Sequence, residues 1–506
     1  MKYKNTISRL LKGITAIILL VTLASCGDDF LSVSPEDAVT PDNFFQEESD
    51  FRQAVDGAYA PLQDMYDSQS VWAMGEMRSD NTHYFFNPDF RFPPPEQIAD
   101  FLVGSENEIN EQKYNYNYDV IARSNQVLAE IDNADFEQAS KDDLKGQALF
   151  LRALAYFDLV RYYGAVPLHL EPATSLETAS LSRSPESDVY EQVIADATAA
   201  ADLLPGKADQ EPGRATSGAA YTLLGDVYLT LEQWENAENA LSNVNDYSLL
   251  DDYADIFDPS NKNNEESIFE VQYMEGTSLG LESYFPYYFI PLTEDHAQLT
   301  MGPSGSQSSP QSGWNIPTED LLNAYEDTNN DERYDASIGF ITGPSLISDT
   351  SYVNLPYIKK YQHPHSTFGE TNQNFPVYRY AEVLLMMAEA INEQGGRLSE
   401  AEGYLNQVRN RAGLNDYNAG SQSDLREAIL RERRIELAFE NKRWLDLVRT
   451  GNAVEVMNEY GESIKGDPNY FYLSSNAYNV DENDLLFPIP FSEIQVNPDL
   501  EQNPGY

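Results

Sequence analysis

The chain of 506 residues carries 83 Asp and Glu side chains but only five His and one Cys. Carboxylates are therefore the first candidates for chemistry. Glycoside hydrolysis needs an acid and a base or nucleophile about 5–9.5 Å apart. With so many acids, some pairs meet that distance by chance, so composition leaves a surface glycosidase open. The histidines, among them His363 and His365, form no H-E-x-x-H zinc spacing and read as loop residues. Asp327, Asn329 and Asp331 stand at the alternate positions of a calcium loop, but Glu332 replaces the turn glycine and Ile338 the closing glutamate. That excludes an EF-hand and leaves a looser calcium site as the alternative to a solvated acidic turn. Glu432, Arg433, Arg434, Glu436, Glu440, Arg443 and Asp446 recur at three- and four-residue steps, the spacing of ion pairs along a helix.

Aromatic side chains beside Asn, Asp and Arg point to different chemistry. Flat apolar faces stack on the C–H faces of pyranose rings, while paired polar groups bond the hydroxyls. Residues 78–92 and 283–315 have this composition, with Tyr84-Phe85-Phe86 and Phe90-Arg91-Phe92 set among Asn and Pro. The expected stacking residues are Trp72, Tyr84, Phe86, Tyr287, Tyr288 and Trp314. Asp80, Asn81 and Arg91 are the expected hydroxyl partners. The alternative for each aromatic is a core residue anchoring its loop. Trp234 and Trp444 lie in helical patterns and read as core.

The elements that must hold these loops are helical. In 142–163, Ala148, Leu151, Leu154, Ala155 and Leu159 recur at three- and four-residue steps, and Gly164 ends the helix. A second helix covers 186–204. Residues 216–245 and 380–410 each read as a helix–turn–helix pair with small residues, Gly225 in the first and Ala388 and Ala390 in the second. This pattern resembles tetratricopeptide repeats, whose pairs bury their faces only by stacking. Ser267–Val271 reads as a strand within a stretch, 247–378, rich in Gly, Pro, Ser, Asn and aromatics. Loops of this length in compact domains usually carry function.

Lys2, Lys4, Arg9 and Lys12 precede the apolar run Ile14–Leu23, which has the length of an export signal and is too short to span a bilayer. Leu23-Ala24-Ser25-Cys26 resembles a lipobox, so Cys26 is the expected lipidation site, and two or more acyl chains make a stable anchor. Gly27-Asp28-Asp29 resembles the acidic tag of surface-directed lipoproteins. The net charge is −51, and loss of residues 1–25 would take it to −55. Such a surface excludes phosphate-backbone binding, so no nucleic-acid partner is expected. It also repels itself unless salt screens it, which suits saline surroundings. Hydrophobic residues at 41% and aromatics at 12% supply the core that a disordered acidic chain lacks.

Taken in order, these segments resemble the SusD/RagB family of nutrient-binding lipoproteins. The matching runs include Asp28-Asp29-Phe30-Leu31, Met77-Arg78-Ser79-Asp80-Asn81, Ala148 to Leu168 and Tyr253-Ala254-Asp255-Ile256-Phe257. Further on they include Tyr378-Arg379-Tyr380-Ala381-Glu382, Arg409-Asn410-Arg411-Ala412-Gly413-Leu414, Arg443-Trp444-Leu445-Asp446 and Asn503-Pro504-Gly505-Tyr506. The resemblance implies a mainly α fold of four tetratricopeptide-like pairs with an irregular, loop-rich ligand-binding region. It implies a non-catalytic outer-membrane lipoprotein facing the cell surface, which binds oligosaccharide or polysaccharide and delivers it to a SusC-like TonB-dependent transporter. No cofactor is expected beyond the calcium alternative. The expected organisation is a signal peptide over 1–25, an N-terminal helical region over 26–246, and a C-terminal region over 247–506. The last is loop-rich over 247–378 and helical over 379–460, intertwined with the first as one unit. A repeat scaffold that binds peptide or another nutrient is the alternative.

Overall fold

The computed structural model describes residues 44–506 apart from 90, 277–278, 294–298, 304–311 and 346–350. The expected signal segment, the lipidation site Cys26, the acidic tag and Phe90 lie outside the described residues. The framework is a row of helices, each packed on the next: α1 (Glu48–Asp67), α2 (Glu108–Glu130), α3 (Gln138–Tyr163), α4 (Glu186–Leu203), α5 (Ser217–Thr230), α6 (Trp234–Leu241), α7 (Tyr380–Gln394) and α8 (Leu398–Arg411). Taken two by two they make four stacked pairs. α9 (Gln422–Glu436) closes against α7 and α8, and α10 (Arg443–Arg449) and α11 (Ala453–Lys465) follow.

Local sequence explains the boundaries. α3 is buried on nearly every side from Gly146 to Tyr163 and stops at Gly164, whose φ of 69° suits a residue without a side chain. The Thr216 hydroxyl caps α5 by accepting from the Ala219 N–H at 3.0 Å. Gly225 lets α6 close onto α5, because a Cβ there would stand 2.3 Å from a Leu241 methyl. Gly395 and Gly396, both at positive φ, turn the chain between α7 and α8. Trp444 is fully buried, whereas Trp234 is only half-buried at the start of α6.

The stretch 247–378 is an excursion from the row, inserted between α6 and α7, and it carries more strand than its composition suggests. Its departing strand β2 (Ser267–Val271) pairs antiparallel with its returning strand β6 (Phe375–Arg379), in register Ser267↔Arg379 through Val271↔Phe375. β4 (Ile338–Pro344) and β5 (Ser351–Ile358) form a second antiparallel pair. The two-residue strands β1 (Thr82–His83) and β3 (Ile316–Pro317) tie the excursion to the early loop. One apolar cluster runs from Ala58 to Leu500 and takes residues from both sides of position 247.

A buried ion network fixes where the excursion returns. The Arg379 guanidinium, 1% exposed, reaches Glu266 just before β2 at 3.0 Å, Glu440 at 2.8 Å, and Glu436. Arg411 bridges Glu266 and Glu436. Arg333 binds Asp331 at 2.8 Å, Glu432 at 2.6 Å and Glu436 at 3.0 Å. Lys360 pairs with Glu440 and Arg409 with Glu432. Five cations thus meet five buried carboxylates, so the buried cluster is neutral, with the exposed Glu326 on Arg409 at its rim. Burial pushes the Glu436 carboxyl up, but Arg411, Arg379 and Arg333 overcome this and hold it well below the usual range.

This network corrects one expectation. Glu432, Glu436 and Glu440 do not chiefly pair along their own helix. They are buried, so their partners come from the excursion and from α8 packed against them. At the calcium alternative, Asp327, Asn329 and Asp331, the carboxylates have protein partners. Both Asp331 carboxylate oxygens bind Arg333, and Asp327 accepts from the Asn329 N–H and the Asn330 amide. Among the described residues, no three His, Cys, Asp or Glu side chains gather as a metal-ligand set.

Two outcomes test this picture. Arg379→Met leaves three buried carboxylates short of their main partner and should cost about 3–5 kcal/mol, read by urea denaturation. A loss under 1 kcal/mol would mean that the network does not hold the excursion. The cluster is internally neutral, so the excess negative charge lies outside it. The melting temperature should therefore rise steadily from low salt to about 0.5 M NaCl as that repulsion is screened. A flat or falling response would remove self-repulsion as a factor.

Candidate functional site

The two aromatic loop regions meet in space. β1–β3 pairing sets His83 opposite Ile316, and the Phe85 N–H donates to the Gly313 carbonyl at 2.7 Å. Gly313 and Trp314 donate in turn to the carbonyls of Ile290 and Tyr288. Residues 82–85, 288–290 and 313–317 are thereby stitched together, and their rings form a cluster. Trp72 lies 5.6 Å from Tyr288 and 6.3 Å from Trp314, and Trp314 lies 5.9 Å from Tyr84 and 6.5 Å from Phe92.

The early loop is pinned from below by a π-helical turn, Ala73–Met77. Gly75 lies so close to the scaffold that a Cβ would meet the Asn441 carbonyl oxygen at 2.7 Å. The buried Glu76 carboxylate accepts from the Asn81 amide and from the N–H groups of Phe439 and Asn441, both at left-handed φ. Burial outweighs these three donors and pushes its carboxyl up to about 7.

The expected site residues divide sharply. Asp80 and Asn81 are buried and committed elsewhere. Arg443 holds the Asp80 carboxylate through two bonds of 2.8 Å, with Arg434 at 3.1 Å. Burial pushes that carboxyl up, and the two guanidiniums more than reverse it. Asn81 donates to Glu76 and accepts from Arg434. These two residues therefore dock the loop onto α9 and α10 and offer no hydroxyl partner. Trp72, Tyr84, Tyr287 and Trp314 are buried too and present no open ring face. Tyr84 donates its hydroxyl to Asp100 at 2.8 Å, and Tyr287 bonds His365. Trp72, Trp314 and Tyr84 pack on one another, and Tyr287 packs on Tyr284, His365 and Phe368. Tyr288 is half-buried.

Phe86 and Arg91 reach the surface, and there they meet rings from a third segment. Phe86 stacks on Tyr472 with centroids 4.4 Å apart and planes within 4°. Phe471, 78% exposed, stands edge-on to Phe86 at 5.7 Å. The Arg91 guanidinium lies 4.7 Å from the Phe86 centroid and forks onto Glu96. Burial lifts the Glu96 carboxyl above its ordinary value, and Arg91 pulls it back. Below the shelf, His83 stacks on Tyr84 at 4.4 Å and lies 3.5 Å from Asp100. Burial pushes the Tyr472 hydroxyl well above its ordinary value, so it stays neutral.

Phe86, Phe471 and Tyr472 form a preorganised aromatic shelf, Phe471 exposed and the other two half-buried, with hydrogen-bonding groups at its edge. Sequence reading missed Phe471 and Tyr472. The signal was present in Asn469-Tyr470-Phe471-Tyr472 followed by Ser474-Ser475-Asn476, an aromatic run among turn residues after α11.

Comparison with known proteins places this geometry in context. The profile of the SusD family matches residues 341–506, and a profile described as starch-binding associating with outer membrane matches residues 29–229. Over 97% of its length the chain is 30% identical to SusD-like protein P2 of Formosa agariphila, spanning 99% of that protein. A SusD superfamily protein from Bacteroides vulgatus superposes with a TM-score of 0.75 at 25% identity, covering 92% of this chain and all of that one. A laminarin-binding SusD-like protein does so with a TM-score of 0.73 at 25% identity, over 91% of this chain and all of that one.

Asp80→Asn tests the docking role. It leaves Arg434 and Arg443 without their shared carboxylate and should lower stability by about 3 kcal/mol at pH 7. The folded carboxyl titrates below its unfolded value, so its contribution is full above the ordinary carboxylate range and fades as pH falls below that range. The wild-type advantage over Asp80→Asn should therefore shrink on acidification. An advantage that is constant down to acid pH would contradict the ion-pair assignment.

Proposed function

This chain belongs to the SusD/RagB family, and from that premise we propose that it captures oligosaccharide or polysaccharide at the outer membrane without cleaving it. In this reading Cys26 carries the lipid anchor, the protein faces the cell surface, and a SusC-like TonB-dependent transporter receives the bound glycan. The outer-membrane and starch-binding description of the matching profile supports this reading, as does the laminarin-binding neighbour.

The observation that carries it is the shelf itself. Phe471 is among the most exposed large hydrophobic residues and stands beside Phe86 and Tyr472, so the three rings form a contiguous apolar patch of the kind that marks ligand sites. Pyranose C–H faces match such rings in size and polarity. The Phe86–Tyr472 stack holds the platform in place before a ligand arrives, which cuts the ordering cost of binding. Two carboxylates close to the shelf, Glu96 and Asp100, are tied to Arg91 and to Tyr84, an arrangement that favours support of the rings over acid–base work.

Calorimetric titration of the folded chain against a panel of neutral and anionic polysaccharides tests the reading, with reducing-sugar assays run alongside. Saturable binding without product is expected. Phe471→Ala should weaken it at least fivefold while stability stays within about 0.5 kcal/mol, as for an exposed side chain. Silence across the panel, or release of reducing sugar, would overturn the proposal; unchanged affinity in Phe471→Ala would move the site elsewhere.

A further inference from the structure

The shelf carries a cation that its neighbour cancels. The Arg91 side chain is half-exposed and caps Phe86, which stacks on Tyr472 on its other side, so a sugar seated on the neighbouring Phe471 would meet the guanidinium. Left free, it would attract carboxylate or sulfate groups, since guanidinium forks match such anions. Instead its Nε donates to Glu96 Oε1 at 2.9 Å and its Nη2 to Glu96 Oε2, a two-pronged pair that uses the fork. Glu96 is only 4% exposed and sits on the short helix Pro93–Ala99 that directly follows the loop. The pairing geometry is therefore built into the fold. A second carboxylate, Asp100, lies nearby under Tyr84.

We infer that Glu96 sets the class of glycan this shelf accepts: by occupying the Arg91 fork, it selects uncharged sugars and turns away uronates and sulfated sugars. The inference rests on the glycan-binding reading above and adds a specificity-determining residue to it. Glu96 acts through Arg91 and is a positioning residue. The −51 net charge of the chain works in the same direction at longer range, because it lowers the local concentration of polyanions.

The experiment titrates wild type, Glu96→Gln and the double variant Arg91→Gln/Glu96→Gln with a neutral β-glucan, a neutral α-glucan, alginate and a sulfated galactan. Wild type should bind at least one neutral glycan and bind both polyanions at least tenfold more weakly. Glu96→Gln keeps the side chain's shape but frees the guanidinium. It should raise the ratio of anionic to neutral affinity at least tenfold, and the gain should shrink in 0.5 M NaCl. The double variant should lose that gain, which separates a freed Arg91 from a general loosening of the loop. If neutral glycans bind but Glu96→Gln leaves the ratio unchanged, or wild type prefers a polyanion, this inference fails and the capture reading stands. If no glycan binds any variant, both fail.

Discussion

The fold depends on placing charged groups out of water in matched numbers. Isolated burial of any of them would be prohibitive, and paired burial is tolerable only when each charge finds its partners in good geometry. Arg379 is the hub. It sits at the junction of β6 and α7, where the 247–378 excursion rejoins the helical row, and it holds Glu266 just before the outgoing strand, Glu436 at the end of α9 and Glu440 in the turn beyond it. The geometry closes only when strand, helix row and C-terminal turn are all in place. A mispaired register would leave buried charges unmatched, so the network specifies one arrangement more than it adds net stability.

The same logic extends outward to the shelf. Asp80 and Glu76 attach the early aromatic loop to α10 and to the Phe439–Asn441 turn, and backbone pairing attaches the excursion to that loop. Phe86 is thereby fixed at a height where Tyr472 stacks against it. A rigid chain of contacts links the charge cluster to the exposed rings. Arg333, Arg379 and Arg433 are all buried, so cations are spent on interior carboxylates and the outside is left acidic.

Much of this was legible in the sequence because it is local. The spacing of Leu151, Leu154 and Leu159, the stop at Gly164, the Gly395-Gly396 turn and the strand at Ser267–Val271 each announce an element within a few residues of themselves. The two aromatic loops were legible by composition, and they do converge. What was not legible is contact between distant segments. Spacing places Glu432 and Glu436 on one face of α9 but does not say that Arg333 will meet that face. Asp80 reads as a free hydroxyl partner until Arg434 and Arg443 arrive from more than 350 residues away. Trp72 and Trp314 have the composition of sugar-stacking residues, yet they are buried and pack on one another. Phe471 and Tyr472 lie outside both loops, and only the folded chain brings them to Phe86.

In the proposed capture, one aromatic shelf, held in place by the buried charges, receives the glycan. A crystal structure of the protein with a bound neutral oligosaccharide tests this most directly. A sugar ring should lie over Phe471, beside the Arg91-capped Phe86, with the Phe86–Tyr472 stack undisturbed. A sugar seated on another face, or a shelf that rearranges to admit it, would contradict the account.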